Sequence, residues 1–480
     1  MLRTDRRVGN SKTRKIIRIF VITALMLMLP SGMTVLGATK RNPPQPTDPG
    51  IRGGPAGAGG PIANLCNTRS GSSPCSAAQD WTAVNSNFKQ VNNVSGTAPI
   101  GLGPRFSSNS CVSCHSQPAA GGSSPSKSNP LFSVYQADNA QNTMPFFEAN
   151  PGPALEAIFP FQPGTQTPNG LVQPLFTVTG RKDAQGCNIS QPAWDAGNLA
   201  LRNPLPMFGD GFIEILLNSD ITNNAAAVCS SNQLGICGTP NLSGNDGSVL
   251  RFGWKADVRS LQMAAGFYYQ VKMGVTNEMF PNEMDETSGC NPNPIPESST
   301  NFGAGIPDYD YPGDLERFAL FMRFLAPPTP GQCPTGGNCT NGQAQFNAVG
   351  CNLCHTTSFT TPASSVPCNV TTGAACLSNV TINLYSDLVL HHMGPCLADN
   401  VVSGAAQGDM FRTPPLWGAG KRAWFLHDGR TSDIVAAIED HALTGCGTNF
   451  PASEATAVIN NFNALSSQNA QDLVDFLRSL

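Results

Sequence analysis

Two five-residue segments constrain this chain more than anything else in it: Cys111-Val112-Ser113-Cys114-His115 and Cys351-Asn352-Leu353-Cys354-His355, both C-x-x-C-H. Any fold that contains them must bring two thiols and an imidazole to the edge of one space, twice. The spacing suits addition of two thiols to the two vinyl groups of one haem, with the adjacent histidine beneath the iron as proximal ligand. Zinc would require a further Cys or His pair at comparable spacing, and neither segment has one beside it. Two covalently bound c-type haems are therefore expected, one held by Cys111, Cys114 and His115 and one by Cys351, Cys354 and His355.

Such attachment belongs to an exported protein, and the first 38 residues have that character. Seven basic residues from Arg3 to Arg18 precede the apolar run Ile19–Leu29, and Gly37 and Ala38 follow. That order is a secretory signal, placing the protein in the periplasm; an uncleaved N-terminal anchor is the alternative. No later run approaches the ~18 apolar residues of a membrane span. Without this segment the basic residues fall from 28 to 21 and the acidic ones from 32 to 31, so the net charge moves from −4 to near −10. That balance excludes electrostatic attraction to nucleic acid or anionic lipid and favours a cationic or neutral partner. The remaining 12 of the 16 cysteines are expected in disulfides. Short spacings suggest Cys66–Cys75, Cys229–Cys237, Cys333–Cys339 and Cys368–Cys376. Cys396 and Cys446 each lie five residues after a histidine, His391 and His441, which suggests a bridge between those segments; Cys187 and Cys290 are left without assignment.

With 480 residues, 88 of them Gly or Pro and only 12% charged, the chain reads as mainly α with long loops. Two cytochrome c-like haem domains are expected, the N-terminal one heavily elaborated. After the signal (1–38), residues 39–61 form a Pro/Gly-rich tether, 62–328 the N-terminal haem domain and 329–480 the C-terminal cytochrome c-like domain. In the latter, NGQAQFNAVGC reads as a helix capped at Asn341. SSQNAQDLVDFLRSL sets Leu473, Phe476, Leu477 and Leu480 on one face. These two segments resemble the first and last helices of class I cytochrome c. In DLERFALFMRFLAPPTP, Leu315, Phe318, Met322 and Leu325 share a face until Pro327 and Pro328 stop the helix. No strand-dominated pattern is visible.

PMFGDGFIEIL (206–216), RFGWKADVRSL (251–261), LYSDLVLHHMG (384–394) and FRTPPLWGAGKRAWFLHDGR (411–430), with the closing helix, resemble the di-haem oxidoreductases, some of which carry a thiol-oxidoreductase label. These are relatives of the di-haem cytochrome c peroxidases. The likeness covers most of residues 95–480. Two features depart from it: His392 stands where the family pattern has an acid, and cysteines are unusually numerous. The resemblance implies two haems in separate domains, one receiving electrons and the other meeting peroxide or another oxidant.

Axial ligands complete the expectation. TSDIVAAIEDH reads as a helix capped by Thr431 or Ser432, with Ile434, Ile438 and His441 inward. The corresponding helix of di-haem peroxidases supplies a distal ligand, so the resemblance implies His441 as sixth ligand of the Cys351/Cys354 haem. Met393, His391 and His392 are the rivals; His427 reads as a structural or interdomain residue. Between the signal and residue 355, His115 is the only histidine. The N-terminal haem is then five-coordinate, capped by a methionine such as Met144 or Met207, or capped from the other domain. A five-coordinate iron suits peroxide, with Glu214 as the acid/base group and Trp254 between the haems. The expected activity is reduction of hydrogen peroxide at the N-terminal haem, with electrons entering through the C-terminal haem from a small cytochrome c or cupredoxin. A pure electron-transfer cytochrome with two six-coordinate haems, or an oxidase of a small or protein-borne substrate, are the alternatives.

Overall fold

Short helices joined by long loops make up the chain, as its glycine and proline content requires. The computed structural model describes residues 45–480 except 53–57, 64, 66–80, 94–100, 135–142, 162–164, 166, 174, 178–197, 284–295, 297, 299–312 and 364–375. The signal, Cys66, Cys75, Cys187, Cys290 and Cys368 lie outside the described residues. Among those described, no helix is long and apolar enough to cross a membrane.

From the N-terminal side come α1 (Trp81–Phe88), β1 (Arg105–Phe106), α2 (Cys111–Cys114), which is the first motif itself, and α3 (Leu131–Val134). Next are β2 (Glu156–Phe161), β3 (Pro168–Gln173), β4 (Phe176–Thr177) and β5 (Ala200–Arg202). Strands β3, β2 and β5 form an antiparallel sheet in that order, while β4 pairs with β1. Four helices follow: α4 (Asp210–Glu214), α5 (Asn218–Ser231), α6 (Leu261–Met273) and α7 (Asp314–Phe324). Then α8 (Cys339–Val349) leads into a 3-10 turn, Cys351–Leu353, that carries the second motif. Two antiparallel strand pairs come after it: β6 (Phe359–Thr360) with β7 (Thr381–Ile382), and β8 (Leu390–His392) with β9 (Met410–Arg412). The chain closes with α9 (Ile434–Asp440), α10 (Thr456–Asn463) and α11 (Ser467–Ser479). The fold is thus α-dominated with small sheets. The strands escape sequence reading because they run two to six residues, too short for a two-residue alternation to show.

Aromatic packing builds the larger core. Phe321 of α7 lies between Phe88 and Trp81 of α1, with ring centroids 3.9 and 5.3 Å away. This core also takes in Leu384, Leu388, Val389 and Trp417 from the second half of the chain. A second core gathers Phe346 of α8 with Leu473, Val474 and Phe476 of α11. The face expected on α11 is buried throughout, each large side chain contributing about 1.5–3 kcal/mol. Helices α8 and α11 approach so closely at Gly342 that a Cβ there would meet the Asp472 carbonyl at 1.9 Å, so only glycine fits.

Caps are displaced from their expected places. Asn338, not Asn341, caps α8 by accepting from the Asn341 amide, because Asn341 spends its own amide on Asp472 and Asn469. Asp433 caps α9 through the Val435 and Ala436 amides, in place of Thr431 or Ser432. A further amide of α9, that of Ile434, is taken by Asp48, whose carboxylate also pairs with the buried Arg478 of α11. At Asp48 the Pro/Gly-rich stretch is therefore strapped to the closing helix.

Cys229–Cys237, Cys333–Cys339 and Cys396–Cys446 are disulfides, and Cys376 is also disulfide-bonded. Residues Pro43–Leu480 form one compact unit. Within it, Asp399 pairs with both Arg202 and Lys255, all three buried.

Candidate functional site

The two motif-bearing turns each open onto a large apolar cavity. Around Cys111, Cys114 and His115 the space between atoms amounts to ≈ 1410 Å³, the mouth included. Around Cys351, Cys354 and His355 it is ≈ 1440 Å³. The cavities share a wall: Asn203, Pro204, Leu205, Pro206, Trp254 and Arg412 line both. The Trp254 indole donates to the Asn203 carbonyl at 2.8 Å, which fixes the ring in this partition.

The motif residues are in a matching chemical state. Their four cysteines are free thiols, whereas every other cysteine among the described residues is disulfide-bonded. Burial pushes the Cys111, Cys114 and Cys351 thiols up to about 12 and raises Cys354 as well. Neutral thiols are poor nucleophiles, which argues against a redox dithiol. Nor is any group of three or more His, Cys, Asp or Glu arranged to hold a metal ion among the described residues.

Histidine hydrogen bonds separate possible ligands from other roles. The Nδ1 of His115 lies 3.0 Å from the Gly122 carbonyl and that of His355 2.9 Å from the Tyr385 carbonyl. A carbonyl accepts only, so Nδ1 carries the proton and Nε2 keeps its lone pair for a metal. Burial holds both rings neutral, His115 down at about 4 and His355 at about 3. His441 repeats the pattern, its Nδ1 donating to the Ala437 carbonyl at 2.7 Å, and it lines the Cys351 cavity. Burial lowers its pKa too.

His391 is different. Its Nε2 meets Asp387 at 2.8 Å and its Nδ1 meets Glu454 at 2.8 Å, which leaves no lone pair for iron in this arrangement. Burial disfavours its charged form, but the Cys354 sulfur and the Asp387 carboxylate outweigh that and raise it well above the usual value. A buried imidazolium clamped by two carboxylates results, beside Cys354 at 3.6 Å. His392 turns from the cavity to Asp409, 2.9 Å away. Met393 lines the Cys351 cavity, as does His427, whose ring stacks on Phe411 with centroids 4.2 Å apart. Cys396–Cys446 joins the His391 segment to the one that follows His441.

In the Cys111 cavity no second histidine is present among the described residues, and the lining thioethers are Met207, Met273 and Met322. Met144 packs against the core without lining the cavity. Glu214 does not line it either. Its carboxylate accepts from Arg323 at 2.7 and 3.2 Å and from the Leu261 amide at 2.9 Å, tying α4 to α6 and α7. Besides Glu156, which is paired with Lys272, the acid at the cavity is Asp210, one helical turn before Glu214. Burial raises its carboxyl to about 7 against the pull of Arg412, with Glu214 adding repulsion. Sequence reading passed over Asp210 because both acids share one short helix and only the structure shows which end faces the space.

A family model described as "Di-haem oxidoreductase, putative peroxidase" matches residues 164–480. The chain belongs to the di-haem oxidoreductase family. Residues 351–355 fall within the matched span, and 111–115 precede it. No curated protein matches the chain. Among solved structures, one of hydrazine synthase from Kuenenia stuttgartiensis, pressurised with 20 bar xenon, is similar at 15% identity. It covers 64% of this chain and 100% of its own, with a TM-score of 0.25, too low to carry an argument. As a di-haem oxidoreductase, the chain has donor sets that fit the group its family implies. Each cavity presents two thiols outside any disulfide, a neutral imidazole oriented through its Nδ1, and largely apolar walls. Buried polar atoms in those walls also lack partners: Ser107 Oγ and Ser110 Oγ at the Cys111 cavity, Ser123 Oγ at the Cys351 cavity.

Proposed function

We propose that this di-haem oxidoreductase is an exported c-type protein that reduces hydrogen peroxide at the haem attached through Cys111 and Cys114. Electrons enter through the haem attached through Cys351 and Cys354, from a small cytochrome c or cupredoxin. The observation that carries this reading is the pair of similar cavities, each walled by one C-x-x-C-H and parted by Trp254. The haems would supply one-electron redox chemistry and an iron for the oxidant to meet; everything else falls to the chain.

His115 and His355 would hold the irons from one side, oriented by Gly122 and Tyr385. His441, whose Nδ1 is engaged by Ala437 and whose ring lines the Cys351 cavity, would serve as the second histidine ligand there. The Cys111 cavity lacks a comparable histidine among the described residues, which suits an open iron. Reduction of peroxide takes up two electrons and two protons, breaks the O–O bond and yields two waters. Asp210, close to half-protonated at neutral pH, is suited to give a proton to the departing oxygen and to take the next from solvent. Trp254 provides an aromatic path between the sites, and the stack of Phe411 on His427 borders it.

A carrier with two six-coordinate haems is the second reading, favoured by Met207 in the wall of the Cys111 cavity. Electron paramagnetic resonance of the purified protein decides between them. One high-spin and one low-spin haem, with turnover of peroxide by an artificial donor, supports the peroxidase. Absence of any high-spin haem eliminates it.

A further inference from the structure

Among the described residues three buried cations are matched by carboxylates: Asp399 serves Arg202 and Lys255, and Asp48 serves Arg478. Lys421 has no acid and gives its Nζ to the Thr329 carbonyl. Arg251, without an acid, spends Nε and both terminal nitrogens on carbonyl and amide oxygens. Arg412 and Arg422 follow neither pattern. Arg412 is 4% exposed and donates through Nε to Gly253 at 2.7 Å and through Nη1 to Thr413 at 3.3 Å. Among the described residues its Nη2 has no hydrogen-bond partner and the side chain forms no ion pair; Asp210, Asp257 and Asp387 act on it from longer range. Arg422 is 8% exposed, gives one bond to the Pro415 carbonyl, and has a buried Nε without a partner. Both line cavities: Arg422 the Cys351 cavity, Arg412 both.

A guanidinium cannot lose its proton to escape burial, and its planar fork is matched to carboxylate geometry. Its unspent N–H groups at a cavity wall therefore call for an anion inside the cavity. We infer that Arg412 is the common counter-ion of the two prosthetic groups, its unspent Nη hydrogens meeting a carboxylate arm from the group in each cavity, while Arg422 serves the Cys351 cavity alone. The inference rests on the haem content of the proposed function and goes beyond it. One side chain then sets the electrostatic potential at both redox centres, so that their midpoints move together. A fixed positive charge favours the reduced, less positive state, and its removal lowers the potential at each centre it serves.

Spectroelectrochemical titration of the two haems in Arg412→Gln, Arg412→Lys and Arg422→Gln tests this. Both midpoints are expected to fall in Arg412→Gln and to return most of the way in Arg412→Lys, whereas Arg422→Gln lowers only that of the Cys351 haem. If Arg412→Gln shifts one midpoint or neither, the shared counter-ion is wrong. Should that variant fail to mature, Arg412→Lys carries the test: both midpoints are expected to lie slightly and equally below wild type, and a fall in one alone overturns the inference. Haem content and peroxide turnover of the unmodified protein report on the proposed function separately. Two haems without turnover would sink the peroxidase and leave the potentials to decide on Arg412.

Discussion

Asp210 and Glu214 sit at opposite ends of one short helix and meet opposite environments. Glu214 is saturated by Arg323 and the Leu261 amide, whereas Asp210 lines the Cys111 cavity. Asp210→Asn should therefore slow the reaction with peroxide by about 10²–10⁴-fold without changing the haem spectrum. Glu214→Gln should leave that step near wild type and cost about 1–3 kcal/mol of stability; stopped-flow mixing and thermal unfolding read the two effects. A second buried acid bears on stability with pH. Glu148 accepts from the Leu155 amide at 3.1 Å and from Asn129, yet burial raises it to about 8. The folded carboxyl thus keeps its proton where the unfolded one, near 4.5, has released it. The stability this gives is full below 4.5 and is lost as pH rises through about 8. Glu148→Gln should flatten the decline of Tm between pH 5 and 8 without altering peroxide turnover. At this scale the sequence displayed the motif cysteines and histidines by number. It could not display which nitrogen of His391 or His441 was already spent, since partners such as Glu454 lie 63 residues away.

At the scale of elements, α9 shows how the helix leading to His441, the proposed ligand, is held. Seven residues are too few for independent stability. Its first amides are taken by Asp433 and Asp48, its inner face by the core around Phe346, and its exit by Cys396–Cys446. Replacing Cys396 and Cys446 together by serine should cost about 2–4 kcal/mol. It should also loosen His441 specifically, so that the low-spin signal of the Cys351 haem weakens on warming before global unfolding. An unchanged low-spin signal up to the unfolding temperature would assign His441 no role as ligand. The long amphipathic faces of α7 and α11 were legible because period 3.6 repeats over several turns in each. The strap from Thr47 to Asp48 was not, because a Pro/Gly-rich composition describes backbone propensity and says nothing of one aspartate reaching Arg478.

Across the whole molecule the two motifs lie far apart in sequence, yet the wall between their cavities is built from both halves. Asn203 to Pro206 and Trp254 come from the first, Arg412 from the second. What fastens them is Asp399. It pairs with Arg202 next to Asn203 and with Lys255 next to Trp254, and Lys255 in turn lies 4.0 Å over the Phe411 ring that stacks on His427. Sequence patterns carry no trace of this fastening, which joins residues about 150 to 200 positions apart and involves no recurring motif. Asp399→Asn leaves two cations buried without their carboxylate, a change that costs about 3–5 kcal/mol. Because the residue belongs to the partition and to neither cavity alone, its loss should be felt at both. Unfolding followed in the Cys111 and Cys351 haem bands should shift to lower temperature by the same amount in one transition. Separate shifts, with one band melting at its original temperature, would mean that the two halves are stabilised independently and that the shared wall is only a contact surface.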